Sequence, residues 1–474
     1  MKRYILLILS VALSLNLFAA EKRVLKGTVL CGEVGVANVV VTDGENFTTT
    51  DDKGRYKLES DDDNELVYIT VPAGYTVESK NSVPMFWHKV KGGHDYDFTL
   101  IKKEQDDTHH GFVVIADPQI WHKKEFPALQ EGMKDINESV KRYKIPFHGI
   151  CCGDIVSHDH SFYEQYNAIA AESGLTFFST LGNHDMTLYG RTHETSTRLW
   201  EETFGPTYYS FNVGKVHYVV LNDNFYIGRD YFYIGYLDEK QFAWLEKDLS
   251  YVEKGSTVVV ALHIPTTCSK SDREQFKYDN IAGVMTNAKA LHQMLEPYNV
   301  HILSGHTHTT YNQIISDKLY EHVIPALSGA WWQGPLCTDG TPRGYGIFEV
   351  NGDKVEWYYK STGYPAEYQM VLYTGKDYSK FRGDLVANIW ACDDNWVVEA
   401  SFDGAEPVKM KRFSSLDPIA KKMYSSNKGM DHSYVYPTEG DHFYRMDIPK
   451  KAMSATVTAT DSFGRKYSQT ISLQ

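Results

Sequence analysis

Two short stretches decide the fold: FFSTLGNHD at residues 177–185 and HILSGHTH at residues 301–308. In each, an apolar run with the composition of a buried strand stops at a glycine, and polar side chains follow at once. Ligand sites in α/β sheets gather just beyond the carboxyl ends of the strands. The two stretches therefore predict one site, built where several strands end.

Three further strand ends carry polar residues of the same kind. Asp117 and Gln119 follow the apolar run FVVIA, Asp154 follows GICC and a glycine, and His263 follows VVVAL. Together the five strand ends offer carboxylate, amide and imidazole ligands without a thiolate. This set suits Zn²⁺, Mn²⁺ or Fe and argues against an iron–sulfur or zinc-finger site. One carboxylate can bridge two ions ~3.5–4 Å apart, an arrangement that clamps the oxygens of a phosphoryl group.

Residues 106–360 alternate between buried-strand and helix patterns, which predicts an α/β layer architecture. The predicted strands cover 112–116, 147–152, 176–181, 258–262 and 300–303. The predicted helices cover about 125–143, 161–173, 194–203, 238–252 and 286–297. Strand and turn patterns alternate on either side, so we expect a small β-sandwich over residues 21–105 and a mostly β domain over 361–474.

Residues 1–20 have the layout of a secretory signal peptide. Lys2 and Arg3 precede an apolar run over 4–13 that only Ser10 interrupts, and the segment closes on two alanines at 19–20. The run is short for the ~20 residues of a membrane span, and no later run is long enough to cross a bilayer. We therefore expect an exported protein, periplasmic or extracellular, with no integral membrane segment once the signal is removed.

The charge balance argues against a nucleic-acid partner. The chain has 48 Lys and Arg against 61 Asp and Glu, a net charge of −13 that becomes about −15 without Lys2 and Arg3. General nucleic-acid binders carry a basic patch or stripe instead. Six cysteines permit one disulfide in an exported chain, such as Cys268–Cys337, but the sequence does not establish it.

Taken in order, the five motifs resemble the pattern of the calcineurin-like metallophosphoesterase superfamily, which is D-x-H, G-D, G-N-H-[DE], H and G-H-x-H. Here they read DPQ, GD, GNHD, ALH and GHTH, and the resemblance covers about 110–360. It implies a metallophosphoesterase-type αββα sandwich. Residues 35–59 resemble transthyretin-like β-modules, and the whole arrangement is similar to exported bacterial members with an N-terminal β-module and a C-terminal β-domain. The stretch SGAWWQGP at 328–335 fits that subgroup.

The resemblance implies a site for two divalent or transition metal ions, of Mn, Zn or Fe, with a ligand set shared among the five motifs. Its members would be Asp117 and His308 on one ion, Asp154 as the bridge, and Asn183, His263 and His306 on the other ion. His184 would protonate the leaving oxygen or stabilise charge, with Asp185 orienting it. A hydroxide bridging the metals would attack phosphorus in line.

One position departs from the family pattern, because Gln119 stands where the family has His. Amides are weaker metal ligands than imidazoles, so Gln119 is expected either to coordinate through its oxygen or to hydrogen-bond a metal-bound water. Trp331 and Trp332 follow a predicted strand end. They are candidates for substrate contact or for packing in the core or at a domain interface.

The motifs together predict a dinuclear-metal phosphoesterase that hydrolyses a small or lipid-linked phosphomonoester or phosphodiester. Two other functions remain open at this level. The flanking β-modules and the excess of Tyr are compatible with a non-catalytic exported binding protein built on a decayed phosphoesterase core. A metallo-nuclease on the same core is disfavoured by the acidic charge.

Overall fold

The computed structural model describes residues 22–229, 232–268, 281–426 and 428–474. They fall into two compact units, of which the first holds 22–71, 75–78 and 86–102 and the second holds 72–74, 79–85 and 103–474. The predicted signal peptide lies outside the described residues. Among the described residues, no helix has both the length and the apolar character needed to span a membrane.

The first unit is built from β-strands, as its alternating apolar pattern predicts. Lys22–Cys31 pairs antiparallel with Arg55–Asp61, whose Tyr56, Leu58 and Ser60 point inward while the residues between them face solvent. This period of two gives the strand one buried face. The remaining strands are Val34–Gly35, Val40–Thr42, Phe47–Thr49, Leu66–Ile69, Tyr75–Val77, Trp87–Lys89 and Phe98–Lys102.

The second unit contains two large mixed sheets. In the first sheet the strand order is Phe177–Ser179, Phe147–Cys151, His109–Ile115, Gly344–Asn351 and Lys354–Ser361. In the second sheet it is Tyr209–Val213, Val216–Val220, Thr257–Ala261, Asn299–Ser304, Leu319–Val323 and Tyr311–Ser316. The strands that carry the predicted motifs are parallel to their neighbours within each sheet, so their carboxyl ends share one edge.

Helices cover the outer face of each sheet. Leu129 and Met133 of one helix share a buried cluster with Val113 and Ile115 of the first sheet. On the second sheet, Asp248 of another helix accepts a hydrogen bond from Ser210 Oγ at 2.7 Å. The helices are Phe126–Val140, Tyr163–Ala170, His193–Ser196, Arg198–Phe204, Glu239–Leu249, Ala288–Leu295 and Pro418–Tyr424. Short 3₁₀ turns cover Lys123–Glu125, His160–Phe162, Ala171–Ser173, Asn183–Asp185 and Ser379–Phe381. The layers therefore form the predicted αββα sandwich.

Between the two sheets lies a core of aromatic rings and histidines. Phe112 stacks on Phe348 with 4.7 Å between ring centroids, and Phe178 stacks on Phe211 at 3.7 Å. The His148 ring meets the Tyr218 ring edge-on at 4.9 Å. Each such contact adds about 0.5–1.5 kcal/mol to the burial of apolar area. The Phe178–Phe211 and His148–Tyr218 contacts therefore help to hold the two sheets together, whereas Phe112 and Phe348 are cross-strand neighbours within the first sheet.

The C-terminal region is rich in strands, as predicted. One sheet has the order Met370–Tyr373, Asp384–Ile389, Glu439–Asp447 and Lys411–Leu416, and the other has Val408–Lys409, Val397–Phe402, Ser454–Thr460 and Lys466–Ser472. Two small ribbons pair Ser79–Lys80 with Val83–Pro84 and Asn224–Arg229 with Phe232–Gly235. The domain boundaries at 105/106 and 360/361 stay predictions.

All six cysteines lie among the described residues, and no disulfide joins any two of them. Cys151 and Cys152 are fully buried, and burial raises their pKa. Cys268 and Cys337 are not joined by the disulfide that the sequence permits.

Candidate metal centre

The five motifs meet at the shared edge of the two sheets. Ligand atoms of Asp154, His263 and His306, from three different strand ends, all lie within 4.8 Å of one another. Asp117 and His308 join them from the remaining direction: His308 Nε2 is 3.7 Å from Asp117 Oδ1, and the His306 backbone N–H donates to Asp117 Oδ2 at 2.9 Å. The structure thus brings these predicted ligands into one buried cluster.

Asn183 and Gln119 complete the cluster. Asn183 Oδ1 lies 3.0 Å from His263 Nε2. The Gln119 amide Nε2 lies 3.4 Å from Asp154 Oδ2, while its buried Oε1 has no hydrogen-bond partner among the described residues. A buried acceptor left unsatisfied costs about 1–3 kcal/mol. A cation beside Gln119 would satisfy that oxygen.

Backbone carbonyls set the tautomers of two histidines. His263 Nδ1 is 2.7 Å from the Cys152 carbonyl and His308 Nδ1 is 2.7 Å from the Gly329 carbonyl. Because a carbonyl only accepts, each Nδ1 must donate, which leaves a lone pair on Nε2 of the neutral ring. In metal-binding histidines this is the usual way in which the ligating nitrogen is fixed.

Around His263 Nε2, several acceptors face one another. Besides Asn183 Oδ1, this atom lies 3.1 Å from His306 Nδ1 and 3.4 Å from Asp154 Oδ2. Converging lone pairs are unfavourable unless a cation or a proton lies between them. The donor set of carboxylate, amide and imidazole fits Zn²⁺, Mn²⁺ or Fe.

The pKa values of the cluster show the same demand for positive charge. Burial by itself lowers the pKa of His263, but the carboxylates of Asp154 and Asp117 outweigh it and raise that pKa to about 10. Burial likewise opposes ionisation of Asp154, yet His263 and His184 hold its pKa below the usual range. Burial raises the pKa of Asp117. A proton on His263 thus takes the place that a metal ion would fill.

The backbone at these positions is strained. Asp117, Gln119, Asp154, His306 and His308 all have φ between 43° and 69°, in the left-handed region that non-glycine residues rarely adopt. Each such residue costs about 1–3 kcal/mol, and such strain persists where the surrounding structure enforces it, above all at functional sites. The strained backbone therefore lowers the stability of the fold while it orients these side chains toward the cluster.

Glycines allow the loops to approach each other. A Cβ on Gly182 would lie 2.2 Å from Asp154 Oδ1 and 2.1 Å from the Asp154 backbone nitrogen. A Cβ on Gly153, whose φ is 83°, would lie 2.8 Å from His263 Nδ1. Only glycine fits at either position, as expected from the glycines that precede Asp154 and Asn183.

His184 and Asp185 lie beside the cluster. The His184 backbone N–H donates to Asp154 Oδ1 at 2.8 Å, and its half-buried ring places Nδ1 3.4 Å from Ser157 Oγ. Asp185 accepts hydrogen bonds from the backbone amides of Ile155, Val156 and Gly182, at 3.1, 3.2 and 3.0 Å. Asp185 therefore ties the loop after Asp154 to the loop that carries His184.

Sequence reasoning missed Asp223, which holds His263 in place. Its buried carboxylate accepts from the backbone N–H of His263 at 3.1 Å and from that of Ile264 at 3.0 Å. Burial raises the pKa of Asp223 to about 7. The signal was present in the sequence, because the polar triplet NDN at 222–224 directly follows the buried strand Val216–Val220.

Trp331 and Trp332 lie in different surroundings. The Trp331 ring stacks on the His308 ring with 3.8 Å between centroids. The Trp332 indole N–H donates to the Pro118 carbonyl at 2.8 Å, and its ring packs against the core of the first sheet. Both have a positive φ, of 50° and 60°. Trp331 thus borders the candidate site, whereas Trp332 fixes the loop that carries Asp117.

Sequence-family models cover nearly all of the described chain. A model of the calcineurin-like phosphoesterase matches residues 107–310, a model of its N-terminal part matches 23–103, and a model of its C-terminal part matches 321–467. The chain belongs to the calcineurin-like phosphoesterases. No curated protein sequence matches it. The αββα sandwich presents the polar loops that carry the five motifs at one edge.

Among solved structures, the phosphoesterase is similar to a dimetal phosphatase from Danio rerio, with 13% identity and a TM-score of 0.37, covering 53% of this chain and 96% of that one. It is also similar to the purple acid phosphatase PPD1 from yellow lupin (Lupinus luteus), with 12% identity and a TM-score of 0.41; the match covers 73% of this chain and 70% of that one. The NAD nucleotidase of Haemophilus influenzae is 10% identical to this chain with a TM-score of 0.31; the match covers 70% of this chain and 57% of that one.

Proposed function

We propose that this phosphoesterase hydrolyses a small phosphomonoester or phosphodiester with the help of two divalent or transition metal ions. The observation that carries the proposal is the convergence of oxygen and nitrogen ligand atoms around His263 Nε2, where Asn183, Asp154 and His306 all approach within 3.4 Å. Such an arrangement favours a bound cation. Mn, Zn and Fe all suit the donor types.

The ligands divide into two groups around Asp154. Asp117 and His308, with the Gln119 oxygen beside them, would hold one ion, and Asn183, His263 and His306 would hold the other. Asp154 contacts members of both groups, since it lies 3.4 Å from both Gln119 Nε2 and His263 Nε2. Ions in these places would neutralise the charge of a phosphoryl group and make water acidic enough to react near neutral pH.

His184 is the residue that we propose to serve the leaving group. Hydrolysis consumes one water: a bond forms between the water oxygen and phosphorus, the ester P–O bond breaks, and the alcohol departs with a proton. The His184 ring is half-buried at the edge of the cluster, and an imidazole there can hold and release that proton. Asp185 supports this group by fixing the loop rather than by chemistry of its own.

We also propose that residues 1–20 direct export. Support comes from Lys2 and Arg3 before an apolar run and from the alanines at 19–20. The mature protein from the native host should then begin at Glu21, as mass spectrometry of its N-terminal peptide would show. A peptide that still carries residues 1–20 would refute export by cleavage.

The test is a panel of mono-, di- and pyrophosphate esters assayed with Zn²⁺, Mn²⁺ and Mg²⁺. Asp154→Asn and His306→Ala should each lower kcat/KM by about 100-fold or more, because ligand loss removes several kcal/mol of charge stabilisation. His109→Ala is the matched control: this histidine pairs with Glu349 at 2.7 Å on the first sheet, outside the cluster, so its loss should leave the rate unchanged. Parent-like activity in both cluster variants, or no activity of the parent with any ion, would refute the proposal.

A further inference from the structure

A segment of the C-terminal region lies against the candidate metal centre. Four aromatic residues, Trp121, Trp331, His432 and Tyr434, form a continuous row that we name the aromatic wall. Trp331 meets Tyr434 edge-on at 5.1 Å, Tyr434 stacks on His432 at 5.0 Å, and His432 meets Trp121 edge-on at 4.9 Å. Tyr434 Oη also lies 3.1 Å from His432 Nδ1. Residues more than 300 positions apart in the chain thus share one surface.

The aromatic wall reaches the cluster at one end, where Trp331 stacks on His308, a member of the cluster, at 3.8 Å. From Trp331 the wall extends through Tyr434 and His432 to Trp121. A substrate whose phosphoryl group is bound in the cluster would therefore have the wall beside its organic part.

Packing fixes the segment in this place. Val435 is fully buried in a small cluster with Ala330, Ala420 and Tyr424, which joins the helix Pro418–Tyr424 to the loop that carries Trp331. The Asp431 backbone N–H donates to Gln333 Oε1 at 3.0 Å. The C-terminal region therefore holds His432 and Tyr434 by folded structure on both sides of them.

The exposed surface of the wall is aromatic rather than charged. Tyr434 keeps 46% of its surface exposed, and Trp121 and Trp331 are half-buried. Lys124 is paired with Asp431, the residue that precedes His432, at 2.5 Å. A second anionic group on the substrate would find this cation already paired, whereas a flat uncharged ring would find ring faces and a phenol hydroxyl.

Resting on the proposed function, we propose that Tyr434 is a specificity-determining residue that contacts the organic part of the substrate and that the buried His432 positions it. The preferred substrates are then phosphate esters whose alcohol carries a flat, uncharged aromatic ring. Stacking of aromatic rings contributes about 0.5–1.5 kcal/mol beyond the burial of area. The C-terminal region thereby completes the substrate site of the α/β sandwich.

Benzyl phosphate and cyclohexylmethyl phosphate test this directly, because they differ mainly in whether the ring is flat. With Mn²⁺ supplied, the parent should show kcat/KM about 5- to 10-fold higher for the benzyl ester, the factor that the stacking energy supplies. Tyr434→Ala should remove that preference by raising KM for the benzyl ester with little change in kcat. Tyr434→Phe should retain it. Tyr436→Ala changes a 56% exposed ring outside the wall and should behave as the parent.

The outcomes separate the two proposals. If the parent hydrolyses neither these esters nor any ester of the wider panel, the proposed function fails. If the parent hydrolyses both esters equally, or if its preference survives in Tyr434→Ala and in His432→Ala, the proposed function stands and the role of the wall is refuted. Thermal unfolding of each variant checks that it is folded. A loss of kcat that is equal for both esters would also contradict the proposal, because it would show a structural role.

Discussion

Two groups of buried histidines in this molecule have contrasting surroundings, those at the strand ends and those between the sheets. At the strand ends, His263 and His308 give one ring nitrogen to a carbonyl and turn the other toward carboxylate or amide oxygens. Between the sheets, His148 meets the rings of Phe112, Phe211 and Tyr218, and its Nε2 has no hydrogen-bond partner among the described residues.

The difference lies in the neighbours rather than in the burial. Burial by itself lowers the pKa of all three rings, His263, His148 and His110. At His263 the carboxylates outweigh it and raise the pKa to about 10, His148 has no such neighbour and its pKa is lowered, and at His110 the opposition of Asp107 is too weak to prevent a pKa of about 4. The first environment demands a positive charge and the second excludes one. The strand-end histidines are thus suited to metal binding, and the inter-sheet histidines act as aromatic packing groups.

The largest effect should come from His263→Ala. Removal of this ring takes away the nitrogen that Asn183, Asp154 and His306 share, so we expect loss of bound metal and a fall in kcat/KM of about 1000-fold. Elemental analysis of the purified protein and an ester assay measure the two effects. His148→Phe is the matched control, which should keep the metal content and the activity.

Either of two results would contradict the contrast between the strand-end and the inter-sheet histidines. A His263→Ala protein that retains stoichiometric metal would show that the strand-end histidine is not a ligand. A His148→Phe protein that loses its metal would show that the inter-sheet histidine is more than a packing group. Urea unfolding of both variants separates either result from simple loss of the fold.

A smaller effect is expected for Asp223→Asn, which acts through His263. The carboxylate of Asp223 accepts from the backbone N–H groups of His263 and Ile264, and an amide oxygen can replace only part of that interaction. We expect a 10- to 100-fold weaker metal affinity, about the effect of losing a partner that orients a ligand. Competition with a chromogenic chelator measures it. Unchanged affinity would show that the strand itself positions His263.

The order of the motifs made most of the site predictable. Each predicted ligand directly follows a buried strand, and parallel strands bring their carboxyl ends together, so the spacing along the chain does not matter. The alternation of strand and helix predicted an α/β layer architecture, and the resemblance of the motifs implied the αββα sandwich. Helix ends differ by a few residues, as for the helix expected over 125–143, which is Phe126–Val140.

Other parts of the site depend on contacts that no local pattern reports. The row from Trp331 to His432 joins segments about 100 residues apart, which the packing of Val435 on Ala330 and the hydrogen bond from Asp431 to Gln333 bring together. Asp185 belongs to the strongest local motif, yet two of its partners are backbone amides of a loop about 30 residues earlier. Backbone amides have no sequence signature, so the GNHD motif does not predict that Asp185 links the loop after Asp154 to the loop that carries His184.

The smallest effect concerns the pH dependence of stability in His148→Phe. Burial lowers the folded-state pKa of His148, so the stability linked to this residue is fully present above its unfolded pKa of about 6.5 and is lost as the pH falls below that value. Phe binds no proton in either state. Relative to the parent, the variant should therefore gain up to about 2 kcal/mol between pH 7 and pH 5.

Urea unfolding at both pH values measures this gain. The carboxyl groups whose pKa burial raises, such as Asp185 and Asp223 at about 7, shift stability in the opposite direction, but they are common to both proteins and cancel in the difference. At pH 7 itself the larger Phe ring should cost about 1–3 kcal/mol by overpacking among the rings of Phe112 and Phe211, and this cost is the same at both pH values. If the free energies of unfolding of the two proteins change in parallel with pH, His148 takes up its proton in the folded core. The inter-sheet region would then tolerate a charge, and the contrast with the strand-end histidines would be lost.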